Sequence, residues 1–406
     1  MAEPQTPRWL VETQNKSWEP EIILSGITLT SLFLLPNYLF NFFGMLVQDY
    51  GVWDALARSL YTISMVWLTG LKLGLIVHLV MRGLWVGLVG VSYVFPHGVR
   101  TERLAAPPPA PFERPAHFVI KIERICSLLF SFIFASVMVA AGMLLLFVPM
   151  TLLFFTGLDL DLIRAITLYG LLPGVLALIV VAMVLLETAW KHSRFKRGLE
   201  TSLCPTLVAI YMTNLGRGKT LLLFAAYFLV IVGLCRADLA RFAFENDANA
   251  ASPEASSLAV TEREDYEDTR DGRLRIQRAT LGSYQVEEPA VELFVALYED
   301  DEYTLEVISE RPELRAEFGL EMAGEALTVA SLCSVLVDGQ IQTSLHWRQA
   351  EHPRTGQRCL VARIPVRHLP AGIHRLRVRK LLWSVVKGEM SHLERWQELP
   401  FELVGS

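Results

Sequence analysis

Apolar residues run in long blocks from residue 22 to residue 235, and beyond that point they alternate with polar ones in short runs. A helix rises 1.5 Å per residue, so roughly 20 consecutive apolar residues cross a hydrocarbon core of about 30 Å. On that measure residues 22–47, 61–81, 125–155, 166–187 and 220–235 each predict a membrane span, the last of them short. Between 61 and 95 the apolar run is too long for one crossing and too short for two. The expected arrangement is one span to Arg82, then an interfacial segment at 83–95 whose Trp85, Tyr93 and Phe95 suit the headgroup level. The first 21 residues form a polar N-terminal segment without a basic n-region or an A-x-A cleavage site, so the first span is expected to be retained.

Beyond the spans, the acidic stretch 236–271 reads as a tether, and 272–406 as a separately folded domain. Strand-like runs appear at Leu274–Leu281, Ala290–Tyr298, Leu327–Val337, Gln340–Trp347, Arg358–Val366, His374–Leu382 and Pro400–Val404. Asp338-Gly339 separates two of them as a hairpin signal, and Arg311–Gly324 is the one stretch that favours helix. The predicted fold class is a membrane all-α helical bundle of about five spans followed by a small soluble all-β, sandwich-like domain.

Charge then gives direction. Residues 96–124 and 187–219 hold five and six Lys or Arg, whereas the alternate loops hold one each. Because positive loops stay in the cytoplasm, the N-terminus is expected inside. Residues 272–406 are then expected to be periplasmic or extracellular, on a plasma membrane (the inner membrane of a bacterium). Residues Ala105–Pro115 read as a stiff proline-rich linker. The net charge of −5 gives no sign of a nucleic-acid partner, and five cysteines are too few for a disulfide scaffold.

Candidate chemistry falls into three groups. The first span carries a polar and small-residue stripe of Gly26, Thr30, Asn37, Asn41, Gly44 and Gln48, which fall in a narrow sector at 100° per residue with Phe33 and Leu34 interrupting it at the edges. Such a stripe serves either as interhelical glue or as a wall of an aqueous pathway. The second span carries Lys72 at mid-membrane with His78 and Arg82, and Asn37 and Asn41 are expected to pack toward Lys72. In the polar domain Arg375, Arg377 and Arg379 alternate along one strand face, with Arg363 and Arg367 near them. Either they pair with acidic neighbours or they offer a basic face to an anionic lipid or glycan. Cys333 and Cys359 are expected to form a disulfide if the domain lies in an oxidising compartment.

The spacing of the histidines fits no metal site, Gly216–Thr220 lacks the first glycine of a P-loop, and no cofactor is implied. The reading is a non-enzymatic membrane protein that senses, scaffolds or docks. Its partners are the lipid bilayer and an envelope protein, anionic lipid or glycan, with an oligomer compatible. A channel or transporter along the first span and Lys72 is the alternative, and a membrane enzyme acting on lipid or glycan is third.

Overall fold

The computed structural model describes residues 18–99, 113–155, 213–214, 216–244, 263–318, 320, 327–343, 345–384 and 388–404, with side-chain burial described from residue 22 and, in the third helix, up to residue 135. The span expected at 166–187, residues 105–112 of the linker expected at 105–115, most of the basic loops and residues 245–262 of the tether expected at 236–271 lie outside these residues. Among the described residues, four helices precede the strands: α1 (Trp18–Gln48), α2 (Asp54–Val94), α3 (Pro115–Phe155) and α4 (Arg217–Arg241). Among the described residues, three helical segments are long and apolar enough to cross a membrane: Ile22–Gln48, Asp54–Val94 and Gly218–Arg241.

Helix α2 runs unbroken for 41 residues, which at 1.5 Å per residue is about 60 Å. No turn interrupts residues 61–95, so this stretch forms one rod and not a hairpin. Gly83, Gly87 and Gly90 are accommodated within it, each with open space where a Cβ would stand.

Two compact units divide the chain. One holds Met1–Pro36 and Thr62–Leu239; the other holds Asn37–Tyr61 and Ala240–Ser406. Within the first, Phe132 packs on Phe224 and Tyr227, and the Tyr227 hydroxyl donates to the Gly70 carbonyl at 2.6 Å. Gly74 allows this closeness, since a Cβ there would meet Ile133 at 2.7 Å.

Among its described residues the second unit contains nine strands in two sheets. The first sheet has the order β1 (Ala279–Leu281), β3 (Ala290–Ala296), β7 (Arg358–Pro365), β6 (Trp347–Glu351) and is antiparallel throughout. The second has the order β2 (Gln285–Val286), β9 (Glu389–Leu403), β8 (Gly372–Ser384), β4 (Cys333–Val337), β5 (Gln340–Ile341), with only β2 and β9 parallel. Alternation fixes which side of each strand is buried. Val291, Leu293 and Val295 of β3 are buried, as are Leu376 and Val378 of β8 and Leu399 and Phe401 of β9. At the β4–β5 turn Asp338 and Gly339 have φ of 48° and 82°, the left-handed pair that a two-residue hairpin of the I′ type requires.

Three differences from the sequence pattern have physical causes. The run Gln340–Trp347 is not one strand: β5 and β6 belong to different sheets. The run at Pro400 extends back to Glu389, because β9 pairs with all of β8 through a bulge. Val378 faces Gln397 while Lys380 faces Leu393, which turns Trp396 inward. Helix also appears where none was expected, at α5 (Glu299–Glu310), just before the short α6 (Pro312–Glu317). Helix α5 buries only Asp301, Thr304, Val307 and Ile308, so its apolar periodicity is weak. Four acidic residues in its first turn favour the helix dipole, and the Asp301 carboxylate accepts from the Tyr298 backbone N–H at 2.9 Å.

Candidate functional site

The second unit is assembled around the C-terminal third of α1. Asn37, Asn41, Gly44 and Gln48 lie on one face at helical spacing, and the chain at 271–277 lies along that face. Asn37 donates to the Asp271 carboxylate at 3.2 Å. Asn41 donates to the Arg273 carbonyl at 2.7 Å and accepts from the Arg275 N–H at 2.9 Å, as a neighbouring strand would. Gln48, fully buried, donates to the Ile276 carbonyl at 2.8 Å and accepts from the Arg275 Nε at 3.0 Å and the Gln357 amide at 2.9 Å. Gln357 completes the pairing: its carbonyl accepts from the Ile276 N–H and its amide donates to the Ile276 carbonyl, both at 2.8 Å. Side-chain amides thereby satisfy backbone groups that a sheet would otherwise satisfy. This is why the strand-like run from Leu274 becomes a strand only at Ala279.

Just past the helix, Asp49 takes the Arg275 guanidinium in a two-oxygen grip at 2.8 and 2.9 Å. At Gly44 an added Cβ would stand 2.5 Å from the Phe244 ring, so only glycine admits that ring. Phe244 sits 5.0 Å from Phe40 and 4.9 Å from Phe242, and Phe242 stacks on Tyr61 at 4.4 Å. The polar stripe and the aromatic cluster meet at Gly44, and both hold the second unit together.

Beside this junction is a cavity of about 160 Å³ lined by Phe40, Arg241, Glu264, Asp265, Arg270, Arg275, Arg278 and neighbours. Its guanidiniums are braced by carboxylates. Arg241 meets Glu264 at 2.7 Å and Arg270 meets Glu267 at 2.5 Å. Behind the wall, Glu267 also receives the Thr280 hydroxyl at 2.7 Å and contacts His352 Nε2 at 3.0 Å. Burial works to raise the Glu267 carboxyl, but the His352 bond, the Arg270 charge and the Thr280 bond outweigh it and hold it down at about 2. The Thr355 hydroxyl lies 3.1 Å from His352 Nδ1, giving a carboxylate–imidazole–hydroxyl order. The three-residue separation within a turn, with the Gly356 N–H donating to the His352 carbonyl, makes this a loop clasp.

A second buried ion pair lies deeper. Lys380 Nζ is 2.8 Å from both Asp301 oxygens, and the side chains are 1% and 0% exposed. The ammonium is 4.4 Å from the Trp396 ring and 5.0 Å from the Tyr298 ring. Neither Lys380 nor the Glu267–His352 cluster was singled out by sequence. A lysine in phase with buried His374, Leu376 and Val378 along β8 was the available signal.

The remaining candidates are placed as follows. Lys72 lies 5.9 Å over the Phe33 ring, within cation–π range, while the Asn37 and Asn41 amides engage residues 271–275. His78 Nδ1 meets the Ser25 hydroxyl at 3.3 Å, and Arg82 lies 5.4 Å from the Trp85 ring. Glutamates face four of the five exterior arginines. Arg379 meets Glu394 at 2.8 Å and Arg363 meets Glu292 at 3.2 Å, while Arg375 and Arg377 share Glu398 at 3.8 and 3.7 Å. Arg367 lies just past β7, and no ion pair to it is seen among the described residues. Cys333 and Cys359 stand on different sheets, β4 and β7, and both thiols are free. Among the described residues no group of three His, Cys, Asp or Glu is placed to hold a metal ion. Comparison with protein-family models, curated proteins and solved structures finds no match to this chain.

Proposed function

We propose that the chain is a non-enzymatic integral membrane protein that holds a β-rich docking or sensing domain at the outer surface of a plasma membrane. The observation that carries this reading is the use of Asn37, Asn41 and Gln48. The polar face of a membrane helix is committed, bond by bond, to residues 271–277 of the β-rich unit. A domain that merely trailed from the membrane would need no such face. Such a bonded face ties residues 271–277 to the end of the helix, as a docking or sensing domain needs. With those amides engaged, the stripe is better read as an anchor than as a wall of an ion pathway.

The finer features belong to the same proposal. Alternate burial on both sheets supports a sandwich. The charge bias of 96–124 and 187–219 supports five spans, a cytoplasmic N-terminus and an exterior C-terminus. An active alkaline phosphatase fusion after Ser406 together with a dark green-fluorescent-protein fusion supports display. The opposite pair of results overturns it.

A further inference from the structure

We propose that Lys380 and Asp301 condense to an intramolecular amide, an isopeptide bond between Nζ and Cγ that staples α5 to β8 inside the β-rich unit. Both residues lie within the second unit, so the link forms whether or not residues 271–277 dock on α1.

Proximity comes first. Nζ stands 2.8 Å from each carboxyl oxygen of Asp301. An atom at that distance from both oxygens is about 3 Å from the carbon between them, within the reach of a near-attack conformer. The elements that carry the two groups hold them there. Strand β8 is an inner strand, with Lys380 facing Cys333 of β4 on one side and Leu393 of β9 on the other. Helix α5 is tied to it by the Trp383 N–H, which donates to the Thr304 hydroxyl at 3.1 Å, and by the core cluster that Ile308 shares with Leu381. Reactants held in this way need no encounter, which removes much of the entropic part of the barrier.

Burial sets the direction. The two side chains are 1% and 0% exposed, and the ammonium faces the buried rings of Trp396 and Tyr298. Two charges taken out of water carry a desolvation penalty that can exceed their attraction, whereas an amide buries no charge. Walls that exclude water also keep it from hydrolysing the product.

The step conserves atoms and electrons. One proton passes from the Nζ ammonium to Oδ1, leaving an amine against an acid. The Nζ lone pair then forms the bond to Cγ while the carbonyl π pair moves onto Oδ2. There the Tyr298 N–H, 2.9 Å away, stabilises the developing charge. A second proton moves from Nζ to Oδ1, the Cγ–Oδ1 bond breaks with its electron pair, and water leaves as the Oδ2 carbonyl re-forms. One ammonium and one carboxylate become one amide and one water, and nothing is oxidised or reduced. The ion pair is the state that precedes condensation. The link joins positions 79 apart in the chain, so tension on the unit passes through the amide and bypasses the residues between.

The test is made on the full native chain, purified in detergent and unfolded only for mass spectrometry. Its mass should fall short of the uncondensed chain by one water. A tryptic digest should leave the bond after Lys380 uncut and give a branched peptide that joins Lys380 to Asp301. Lys380→Met with Asp301→Asn, in which the asparagine still accepts from the Tyr298 N–H, should show no deficit. Absence of the branched peptide from the native digest overturns the proposal, and so does a one-water deficit that persists in the double variant.

Discussion

Replacing Gln48 by leucine removes the centre of the junction at nearly constant volume. In the native protein the Gln48 carbonyl accepts from Arg275 Nε at 3.0 Å and from the Gln357 amide at 2.9 Å, and its amide donates to the Ile276 carbonyl at 2.8 Å. The Ile276 carbonyl keeps its bond from Gln357, so that loss is partial. The two donors are different, because leucine gives neither a replacement acceptor. A buried donor left without a partner costs about 1–3 kcal/mol, with charged donors at the upper end. Arg275 retains Asp49, which limits its share. The expected sum is about 3 kcal/mol against local opening, or roughly a hundred-fold in the opening equilibrium at about 1.4 kcal/mol per decade. The Ile276 N–H, bonded to Gln357 Oε1, reports this directly by hydrogen exchange. Its protection should fall roughly a hundred-fold in Gln48→Leu and only a few-fold in Asn37→Ala, whose single 3.2 Å bond is exposed and therefore weak. Equal protection in the native protein and Gln48→Leu would refute the reasoning.

Three further outcomes follow from the β-rich unit. Lys380→Met strands the buried Asp301 carboxylate and should cost about 3–5 kcal/mol in a denaturant melt. Lys380→Met with Asp301→Asn should recover most of that loss, since asparagine can still accept from the Tyr298 N–H. His374 places both ring nitrogens against acceptors, Asp338 and the Pro370 carbonyl, each at 2.7 Å. Burial lowers its pKa, but these bonds outweigh burial and raise it, so the stabilisation is complete below 6.5 and is lost as pH rises through the higher folded value. Asp338, raised by burial but lowered more by His374 and the Arg375 N–H, adds stability above 3.8 that is lost as pH falls through its lower folded value. Exchange of the Asp338 and Arg375 amides should accordingly be slowest, relative to intrinsic rates, between 3.8 and 6.5, and His374→Gln should flatten the alkaline loss; a native profile as flat as that of the variant contradicts the pairing. Burial pushes the Cys333 thiol up to about 12 and the Cys359 thiol up to about 11, so neither should react with a maleimide at pH 8 until the domain unfolds. Labelling of the folded protein at the rate of a free peptide thiol contradicts the burial of Cys359 and the raised thiol of the half-buried Cys333.

What could be read in advance divides along a physical line. Long apolar blocks and the Asp338-Gly339 turn are local signals, and the helices and the β4–β5 hairpin follow them. The stripe on α1 was equally legible as a stripe. Its partner was not, because residues 271–277 lie more than 220 positions away, and only the fold brings their backbone to Asn41 and Gln48. Helix α5 escaped notice because its buried face includes Asp301 and Thr304, and that polarity makes sense only beside Lys380. The alternating arginines of β8 were visible, but the acids opposite them sit on β9, whose register depends on a bulge.

Anchoring of the β-rich unit on the polar face of α1 is tested most directly by disulfide crosslinking in native membranes. Asn41→Cys with Arg275→Cys joins positions that now share a hydrogen bond of 2.9 Å. Tyr38→Cys with Arg275→Cys is the control, since Tyr38 is 70% exposed on another face of the helix. Rapid oxidation of the 41/275 pair and none of the 38/275 pair is the predicted result. Crosslinking of the control pair alone, or of neither, contradicts the account.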